Sequence, residues 1–484
     1  MRQGWRIAVV GGGVTGLAAA LRLRELAPPG STITVYEQSG ATGGKLRTGE
    51  LAGSAVELGA EAFLVRDPDG GDSPATALAR RLGLGDALVH PATGQAGLAV
   101  NGELRPVPGG TLVGVPGDLT RVAAVARAEA ERDRDEGRPL LEPGQDVAVG
   151  ELVRRRLGDE VVDRLVDPML GGVYAGRADR LSLAATMPAL ARTARTEHTL
   201  TGAVRAAQAT ARPATPGRPV FATVAGGMSR LVEAAAAELT ARTDPDAPVG
   251  EIRTGAAVRE LRPTPDGWSL VVGPTREPEL VEVDAVVLAL PARPAARLLA
   301  EVDPAAAGRV GELDYASLAL VTLAVPAPAL PELSGLLVPA SEGMLIKAAT
   351  FFTTKWAHLR RPDGIALLRV SLGRYGEEEQ LQRDDDELAA TAHRELSRLV
   401  GTAAAGAGLP APVAGHVQRW GGALPQYAPG HLDRVAAARA ALRAGRPTVA
   451  LAGAGYDGVG IPACVRSGQA AAEEIIKALE GSMA

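Results

Sequence analysis

The chain has 484 residues, which is long enough for two or three domains that each bury a hydrophobic core. Its composition, with 46% hydrophobic and 22% charged residues, is typical of a globular protein, and its net charge of −5 argues against general binding of nucleic acid. The single cysteine, Cys464, excludes an intramolecular disulfide and a cysteine zinc site. No stretch reads as a signal peptide or a membrane-spanning helix, so we expect a cytoplasmic protein with at most peripheral membrane contact.

The first forty residues predict a strand, a glycine-rich turn, a helix and a second strand. The apolar run Arg6–Val10 is typical of a buried strand, and the helix formers that follow the turn end at Pro28. A second apolar run, Thr32–Tyr36, ends on the acid Glu37. A strand, a turn with the spacing GxGxxG and a helix, with an acid about 20 residues further on, together predict a dinucleotide-binding unit.

The residues of the turn have separate tasks in such a unit. Gly11 permits the tight turn, Gly13 lets the backbone approach a pyrophosphate, and Gly16 lets the helix pack closely on the sheet. The free N–H groups at the start of the helix favour phosphate, and Glu37 is placed to accept hydrogen bonds from ribose hydroxyls. The predicted contacts here are Gly11, Gly12, Gly13, Val14, Thr15, Gly16, Glu37 and Gln38. A glycine-rich turn with a structural role is the alternative.

A second pair of glycines lies in the loop after Glu37. Gly43-Gly44-Lys45 and, further on, residues 56–63 resemble two flavin contacts of the amine oxidase and phytoene desaturase superfamily. The resemblance implies FAD rather than NAD as the cofactor. The contacts it implies are Lys45, Gly59, Ala60, Glu61 and Ala62. Without the resemblance, Lys45 could be an ordinary solvated lysine.

The end of the chain predicts another strand, turn and helix. Residues 447–452 form an apolar strand, residues 453–462 contain four glycines, and a helix follows over residues 463–479. The helix N-terminus would direct its positive dipole end at the flavin, where negative charge develops on reduction. The residues expected at the flavin are Val459, Gly460 and Ile461. A structural turn is the alternative, although glycines this close together favour the close approach of a ligand.

The middle of the chain predicts further elements of the same domain. Residues 224–233 open an alanine-rich helix, residues 256–261 and 268–272 form a hairpin, and residues 283–291 form a buried strand. The superfamily places a backbone contact to adenine at the position of Val258. From the sequence alone, Val258 would also fit as a core residue.

Several stretches resemble the porphyrinogen oxidases, and they cover nearly the whole chain in the order of that family. The stretches are residues 101–108, 167–176, 181–183, 419–420, 423–427, 430–431 and 458–468. Trp420 in one of these stretches is a further expected flavin contact. Ala463 is a departure, because the family usually has Asp before the cysteine, and this weakens any role for an acid there.

The resemblance implies a reaction and its partners. The Gram-positive branch of the family oxidises coproporphyrinogen III to coproporphyrin III with O2, in three two-electron rounds that give H2O2, on the coproporphyrin-dependent route to haem. The membrane-associated branch acts on protoporphyrinogen IX, and this chain looks like the former branch. A transient contact with the next haem-pathway enzyme is a further expectation. The alternatives are an amine oxidase-like or desaturase-like flavoenzyme, and a flavin- or porphyrin-binding protein without turnover.

The flavin N5 atom carries the chemistry in this family, so no catalytic side chain is expected. The six histidines have no metal-ligand spacing, and no metal is expected. The tetrapyrrole substrate carries four propionates, so cations should surround its pocket. The candidate cations lie outside the predicted flavin domain and are Arg66, Arg177, Lys347 and Arg374.

Together these elements predict an α/β fold with a discontinuous Rossmann-like FAD-binding domain of the amine oxidase type. This domain is expected over residues 1–65, 218–290 and 415–484. An α+β substrate domain is expected over residues 66–110 and 291–414. A helical, membrane-type domain is expected over residues 111–217.

Overall fold

A five-stranded parallel sheet lies at the centre of the computed structural model, which describes residues 4–68, 70–210, 218–242, 246–403 and 408–482. Every neighbouring pair of strands in this sheet is parallel. In spatial order the strands are Val249–Arg253, Thr32–Tyr36, Arg6–Val10, Ala285–Leu288 and Val449–Leu451. The sheet therefore combines strands from the beginning, the middle and the end of the chain, and the predicted fold class is confirmed.

Helices cover one face of this sheet. They are Val14–Leu26, Ser229–Thr240 and Ile461–Gly481. Side chains from the strands and the helices share one core, in which Ile7, Leu231 and Ile475 are fully buried. The first and last helices touch closely, because a Cβ atom on Gly468 would lie 2.2 Å from the carbonyl oxygen of Thr15. This contact holds the two ends of the chain together.

The opposite face carries a second core, because successive side chains of a strand point to opposite faces. Val286 and Leu288 bury their side chains in this core together with Trp268 and Leu298. A three-stranded antiparallel sheet covers this face, with strands Val258–Thr264, Gly267–Val272 and Glu279–Val283. The helices on this side are Ala292–Leu299, Pro304–Gly311 and His431–Gly445.

A separate seven-stranded sheet forms the second large unit. In spatial order its strands are Ala414–Gln426, Asp314–Pro326, Ile365–Leu372, Ile346–Phe351, Gly335–Leu337, Ala96–Val100 and Glu103–Pro106. Its pairs are antiparallel, except that Gly335–Leu337 runs parallel to Ala96–Val100. The helix Asp385–Ala403 packs on this sheet through Leu388 and Leu396, which are fully buried.

Short helices form the third unit and enclose a core of their own. They are Val149–Leu157, Asp159–Val161, Asp167–Tyr174, Leu183–Thr186, Pro188–Thr193 and Leu200–Thr210. The turn Val162–Val166 between two of them is a π-helix. Among the described residues, no helix combines the length and the apolar character that crossing a bilayer requires.

Smaller elements complete the fold. The strands Thr48–Leu51 and Ser54–Glu57 form a hairpin that leads towards Gly59. The other short strands are Phe63–Leu64, Leu88–Val89, Phe221–Val224, Thr111–Leu112 and Val115–Pro116. Further short α-helices in the described part of the chain are Pro74–Arg81, Phe352–Lys355 and Ala454–Asp457.

Some segments pack differently from the predicted division of the chain. Residues 415–426 were expected in the flavin domain, yet Ala414–Gln426 pairs with Asp314–Pro326 in the seven-stranded sheet. The helix Pro74–Arg81 and the two helices over 292–311 were expected in the substrate domain, yet they pack in the cores of the parallel sheet. The pairing partner of a strand is not visible in its own sequence, which explains the first difference. Residues 1–3, 69, 211–217, 243–245, 404–407 and 483–484 of the predicted ranges lie outside the described residues.

Candidate active site

The glycine-rich turn connects the first strand to the first helix. Gly11 has a φ of +110°, and a Cβ atom there would lie 2.4 Å from the carbonyl oxygen of Ala289. A Cβ atom on Gly16 would lie 1.9 Å from the carbonyl oxygen of Gly11. A Cβ atom on Gly13, in contrast, would meet nothing within 4 Å. Two of these glycines are therefore required by the packing of the protein itself, whereas Gly13 faces open space.

The carboxylate of Glu37 lies against this turn. It accepts hydrogen bonds of 2.8 Å from the N–H groups of Gly12 and Ser39. The neighbouring Gln38 is exposed. The N–H group of Ala256 donates a hydrogen bond of 2.8 Å to the carbonyl oxygen of Glu37, so the segment that leads into Val258 is bonded to the backbone of this acid. The predicted ribose and adenine contacts are thus brought together from two distant segments.

The loop around Lys45 joins the turn to the residues after the hairpin. Gly43 donates a hydrogen bond of 2.8 Å to the carbonyl oxygen of Gly12, and Ala60 donates one of 2.9 Å to that of Lys45. Burial lowers the pKa of Lys45, and the nearby Cys464 acts in the opposite direction. Since Cys464 lies in the first turns of the last helix, Lys45 occupies a point where three predicted flavin-binding segments meet.

The C-terminal glycine segment approaches the same place. Gly460 is the N-cap of the helix that begins at Ile461, and no side chain caps this helix. Gly453 donates a hydrogen bond of 2.8 Å to the hydroxyl of Ser467, which fixes the segment onto the helix. The segment was expected to be a turn throughout, but Ala454–Asp457 forms one helical turn. Val459 and Gly460 follow it and are not buried.

The geometry of both helix starts fits a flavin dinucleotide. The helix Val14–Leu26 has Gly13 as its N-cap and likewise lacks a side-chain cap, so its first N–H groups face the open space beside Gly13. Uncapped helix starts with a positive dipole end are suited to phosphate and to other anionic groups. The two uncapped helix starts and the open space beside Gly13 therefore fit the anionic groups of FAD.

Glu61 takes part in a buried ion network that sequence reasoning missed. Its carboxylate pairs with both Lys355 and Arg369. Burial alone would raise the pKa of Glu61, but Lys355 and Arg369 outweigh this effect and hold the pKa below its usual value. Arg369 also donates a hydrogen bond of 2.8 Å to the carbonyl oxygen of Gly59. The side chain of Glu61 therefore anchors the predicted flavin loop to the seven-stranded sheet.

A charged residue within an apolar stretch is the signal that could have predicted this network. Arg369 stands in the otherwise uncharged strand Ile365–Leu372. Lys355 follows shortly after the buried residues Phe351 and Phe352. Charges in such places need a buried partner, although the sequence does not indicate which acid supplies it.

Two further groups border the same loop. The indole N–H of Trp420 donates a hydrogen bond of 2.7 Å to the carbonyl oxygen of Leu58, and a Cβ atom on Gly59 would lie 3.5 Å from the Trp420 ring. The buried Glu57 accepts a hydrogen bond of 2.7 Å from the N–H group of Met228. Burial raises the pKa of Glu57 to about 7. The structure therefore places Trp420, Gly59 and the predicted isoalloxazine contacts side by side.

The structure brings three of the four candidate cations together. Arg177 pairs with Glu377 and lies 3.6 Å from Asp167. Arg374 lies 3.8 Å from the same Glu377 and acts electrostatically on Lys347. Arg66 lies apart, on an exposed loop, and donates to the carbonyl oxygen of Gly70. Arg177, Lys347 and Arg374 therefore form a cluster, and Arg66 does not belong to it.

The surroundings of Arg374 favour a structural role. Its guanidinium donates hydrogen bonds of 3.0 Å to three carbonyl oxygens, those of Val338, Met344 and Ile346, and it is 6% exposed. These bonds hold the loop between two strands of the large sheet. Because its donors already have protein partners, we do not retain Arg374 as a direct contact to a propionate.

These features define a flavin-binding fold with an adjacent cationic cluster, and the comparisons agree with the flavin-binding fold. The model of the family described as flavin containing amine oxidoreductases matches residues 14–476. The chain belongs to this family, and it is a flavin-dependent oxidoreductase. The predicted enzyme class and the predicted cofactor, FAD, are thereby confirmed.

Individual relatives indicate a narrower group within this family. A Mycobacterium tuberculosis protein named coproporphyrinogen III oxidase is 37% identical to this chain, with 98% of each covered. A Bacillus subtilis protein of the same name is 30% identical, with 97% of each covered. A crystal structure of an Exiguobacterium sp. 255-15 protein matches with a TM-score of 0.81 at 29% identity, over 98% of this chain and 99% of that one. The resemblance to the porphyrinogen oxidases is thus confirmed.

Proposed function

We propose that this protein oxidises coproporphyrinogen III to coproporphyrin III with O2 as the acceptor. The reaction removes six electrons and six protons from the substrate, and three O2 become three H2O2. The observation that carries the proposal is the match of the whole chain to relatives of this name, including all three structural units. The cationic cluster beside the flavin loop agrees with a substrate that bears four carboxylates.

The geometry supports the following assignment of the residues that would hold FAD. Gly13 and the N-terminus of the first helix would bind the pyrophosphate, and Glu37 would accept hydrogen bonds from the ribose. Lys45, Gly59 and Trp420 would border the isoalloxazine ring. When bound, FAD supplies the two-electron oxidation of the substrate and the transfer of these electrons to O2.

The protein's own groups would orient the substrate and the cofactor. Arg369 bonds to the carbonyl oxygen of Gly59 and to Glu61, so it fixes the loop against which the flavin ring would lie. The helix that begins at Ile461 directs its positive end to the same region and would stabilise negative charge on the ring. No step in this proposal requires a side chain to act as acid or base.

Aerobic turnover tests the proposal. Purified FAD-loaded protein is mixed with coproporphyrinogen III and, in parallel, with protoporphyrinogen IX, and porphyrin fluorescence is followed against a protein-free control that records autoxidation. We expect faster turnover of coproporphyrinogen III, with O2 consumed and porphyrin formed in a ratio of three to one. Faster turnover of protoporphyrinogen IX would favour that substrate instead. A yellow, FAD-loaded protein that oxidises neither compound would contradict the proposal.

Two further expectations belong to this proposal and not to the family assignment. The first is a cytoplasmic location, and the second is a transient contact with the enzyme that consumes coproporphyrin III. Both stay predictions from the sequence.

A further inference from the structure

Lys347 is a buried cation that lacks a carboxylate partner among the described residues. It is 6% exposed, and its ammonium group donates one hydrogen bond of 3.1 Å, to the carbonyl oxygen of Gly171. The charged groups that act on it are Arg374 and Arg369, and both are cations. Burying an ammonium group without a counter-charge is unfavourable. An anion that reached this site would therefore be stabilised by the ammonium group and would stabilise it in return.

The two neighbouring arginines are already engaged. Arg369 is paired with Glu61 and bonded to Gly59, and Arg374 is bonded to carbonyl oxygens. An ammonium group has three N–H donors, and within the described part of the chain Lys347 uses one of them. Unlike these two arginines, Lys347 therefore keeps most of its donors for an incoming group.

The backbone at Lys347 is irregular in a way that redirects its side chain. The strand Ile346–Phe351 pairs Ile346 with Leu372 and Ala348 with Ser371, so Lys347 is the extra residue of a β-bulge. Bulges interrupt the ladder, turn a side chain away from the regular alternation and are frequent next to binding sites. The bulge therefore removes the buried lysine, which has no counter-charge among the described residues, from the regular strand ladder.

The helix opposite Lys347 carries no side chain at two successive positions, Gly171 and Gly172. A Cβ atom on Gly171 would have its nearest neighbour, the carbonyl oxygen of Gly176, at 3.5 Å, and one on Gly172 would lie 3.2 Å from the side chain of Leu337. Gly172 is exposed, and the next residue, Val173, is 48% exposed. The chain is therefore open to solvent one residue away from the carbonyl group that Lys347 contacts.

We propose that the ammonium group of Lys347 binds a carboxylate of the substrate, one propionate of the tetrapyrrole, through a charge-assisted hydrogen bond. The inference rests on the proposed function, because it takes the propionate from the porphyrinogen substrate. It selects one residue from the four candidate cations and excludes Arg374. In the ligand-free protein, burial and the two arginines lower the pKa of Lys347 to about 7, and a bound carboxylate would raise it again.

Binding of the product separates this role from a structural one. The Lys347→Met variant keeps the apolar stem and removes the charge, and Lys477→Met on the exposed face of the last helix is the matched control. Affinity for coproporphyrin III and for its uncharged tetramethyl ester is measured by quenching of porphyrin fluorescence on the FAD-loaded protein. We expect Lys347→Met to weaken binding of the free acid about tenfold or more and to change binding of the ester less than twofold, with no change for Lys477→Met. Equal losses for both ligands, or no loss for the acid, would overturn the proposal.

A measurement on the unaltered protein covers the case in which the variant does not fold. Calorimetric titration with coproporphyrin III at pH 8, in two buffers of different ionisation enthalpy, gives the number of protons taken up on binding. We expect uptake of most of one proton with the free acid and none with the ester. The other charged groups packed around the site are Arg177, Arg369, Arg374, Asp167, Glu377 and Glu395, and the ester shows how many protons they take up when the ring binds without its carboxylates. Absence of uptake with the acid would contradict a carboxylate at Lys347.

The two proposals fail in different ways. If the unaltered protein does not turn over coproporphyrinogen III, the proposed function is wrong and Lys347 loses its assigned ligand. If turnover is normal and Lys347→Met binds the free acid as tightly as the unaltered protein, the function stands and the assignment of Lys347 is wrong.

Discussion

The predicted flavin site and the cationic cluster are built by opposite means. The first consists mainly of backbone: glycines that permit close contacts, uncapped helix starts and one acid, Glu37, that bonds to the turn. The second consists of long charged side chains, Arg177, Lys347 and Arg374, from separate parts of the chain. One is defined by short-range spacing in the sequence, and the other is defined only when the sheet and the helices assemble.

The difference determines how each region should respond to change. In the backbone-built region, a single added methyl group acts through steric exclusion, and its effect depends on what lies within a few ångströms. In the charged region, a substitution acts through burial and through the partners that it leaves behind. The ion network of Glu61 connects the two, since it ties the flavin loop to the seven-stranded sheet.

The largest expected effect is at this connection. Glu61→Gln leaves Lys355 and Arg369 buried without their common counter-charge, and we expect the free energy of unfolding to fall by about 3–5 kcal/mol. Urea denaturation of the FAD-loaded protein measures it. The control is Glu279→Gln, which removes an exposed pair with Arg253 and should cost no more than about 1 kcal/mol. Similar small losses in both variants would mean that the network does not hold the loop.

The next largest effect is expected at Gly16, where close packing excludes a side chain. In Gly16→Ala the new Cβ atom would lie 1.9 Å from the carbonyl oxygen of Gly11, so the helix must move away from the sheet. We expect a loss of about 3 kcal/mol in the free energy of unfolding of the apoprotein, measured by urea denaturation. An apoprotein as stable as the unaltered one would show that the contact between helix and turn is not limiting.

A pH-dependent effect is expected at Glu57. Burial raises its pKa from 4.5 to about 7, so between these values the folded protein binds a proton that the unfolded chain has released. Stability from this group is complete at low pH and is lost as the pH rises through about 7. The difference in the free energy of unfolding between Glu57→Gln and the unaltered protein should therefore shift in favour of the variant by up to about 3 kcal/mol from pH 5 to pH 8. Exposed Glu50→Gln, on the adjacent strand, should show no such trend in the same denaturation series.

The smallest effect on stability is expected at Gly13, together with a large effect on the cofactor. A Cβ atom there meets nothing within 4 Å and its φ is −74°, so Gly13→Ala should change the stability of the apoprotein by less than about 0.5 kcal/mol. Since the methyl group would occupy the space expected for the pyrophosphate, FAD affinity should fall about tenfold or more by fluorescence titration. Gly94→Ala, where a Cβ atom likewise meets nothing within 4 Å, lies at an exposed position far from the turn in the sequence and is the control for both quantities. Unchanged FAD affinity in Gly13→Ala would place the pyrophosphate elsewhere.

The sequence by itself determined the elements whose signals are local. The strands Arg6–Val10 and Thr32–Tyr36 have the predicted bounds, and the turn, the acid and the C-terminal glycine segment follow from spacing that a few neighbouring residues define. Backbone geometry of this kind depends on residue type at each position, because only glycine tolerates a φ of +110° or a close carbonyl group without strain. A dinucleotide-binding unit could therefore be predicted from the spacing of these motifs, and the family and FAD from their resemblance to known flavoenzymes.

Only the tertiary structure decided which charges work together. Lys347 and Arg374 are both cations among many in the sequence, and nothing local distinguishes the one that has protein partners from the one that keeps free donors. The pairing of Glu61 with Lys355 and Arg369 joins residues about 300 positions apart, and the strand Ala414–Gln426 could be assigned to the large sheet only through its partner strand. Electrostatic interactions and strand pairing depend on distance in space, and that distance is set when the whole chain folds.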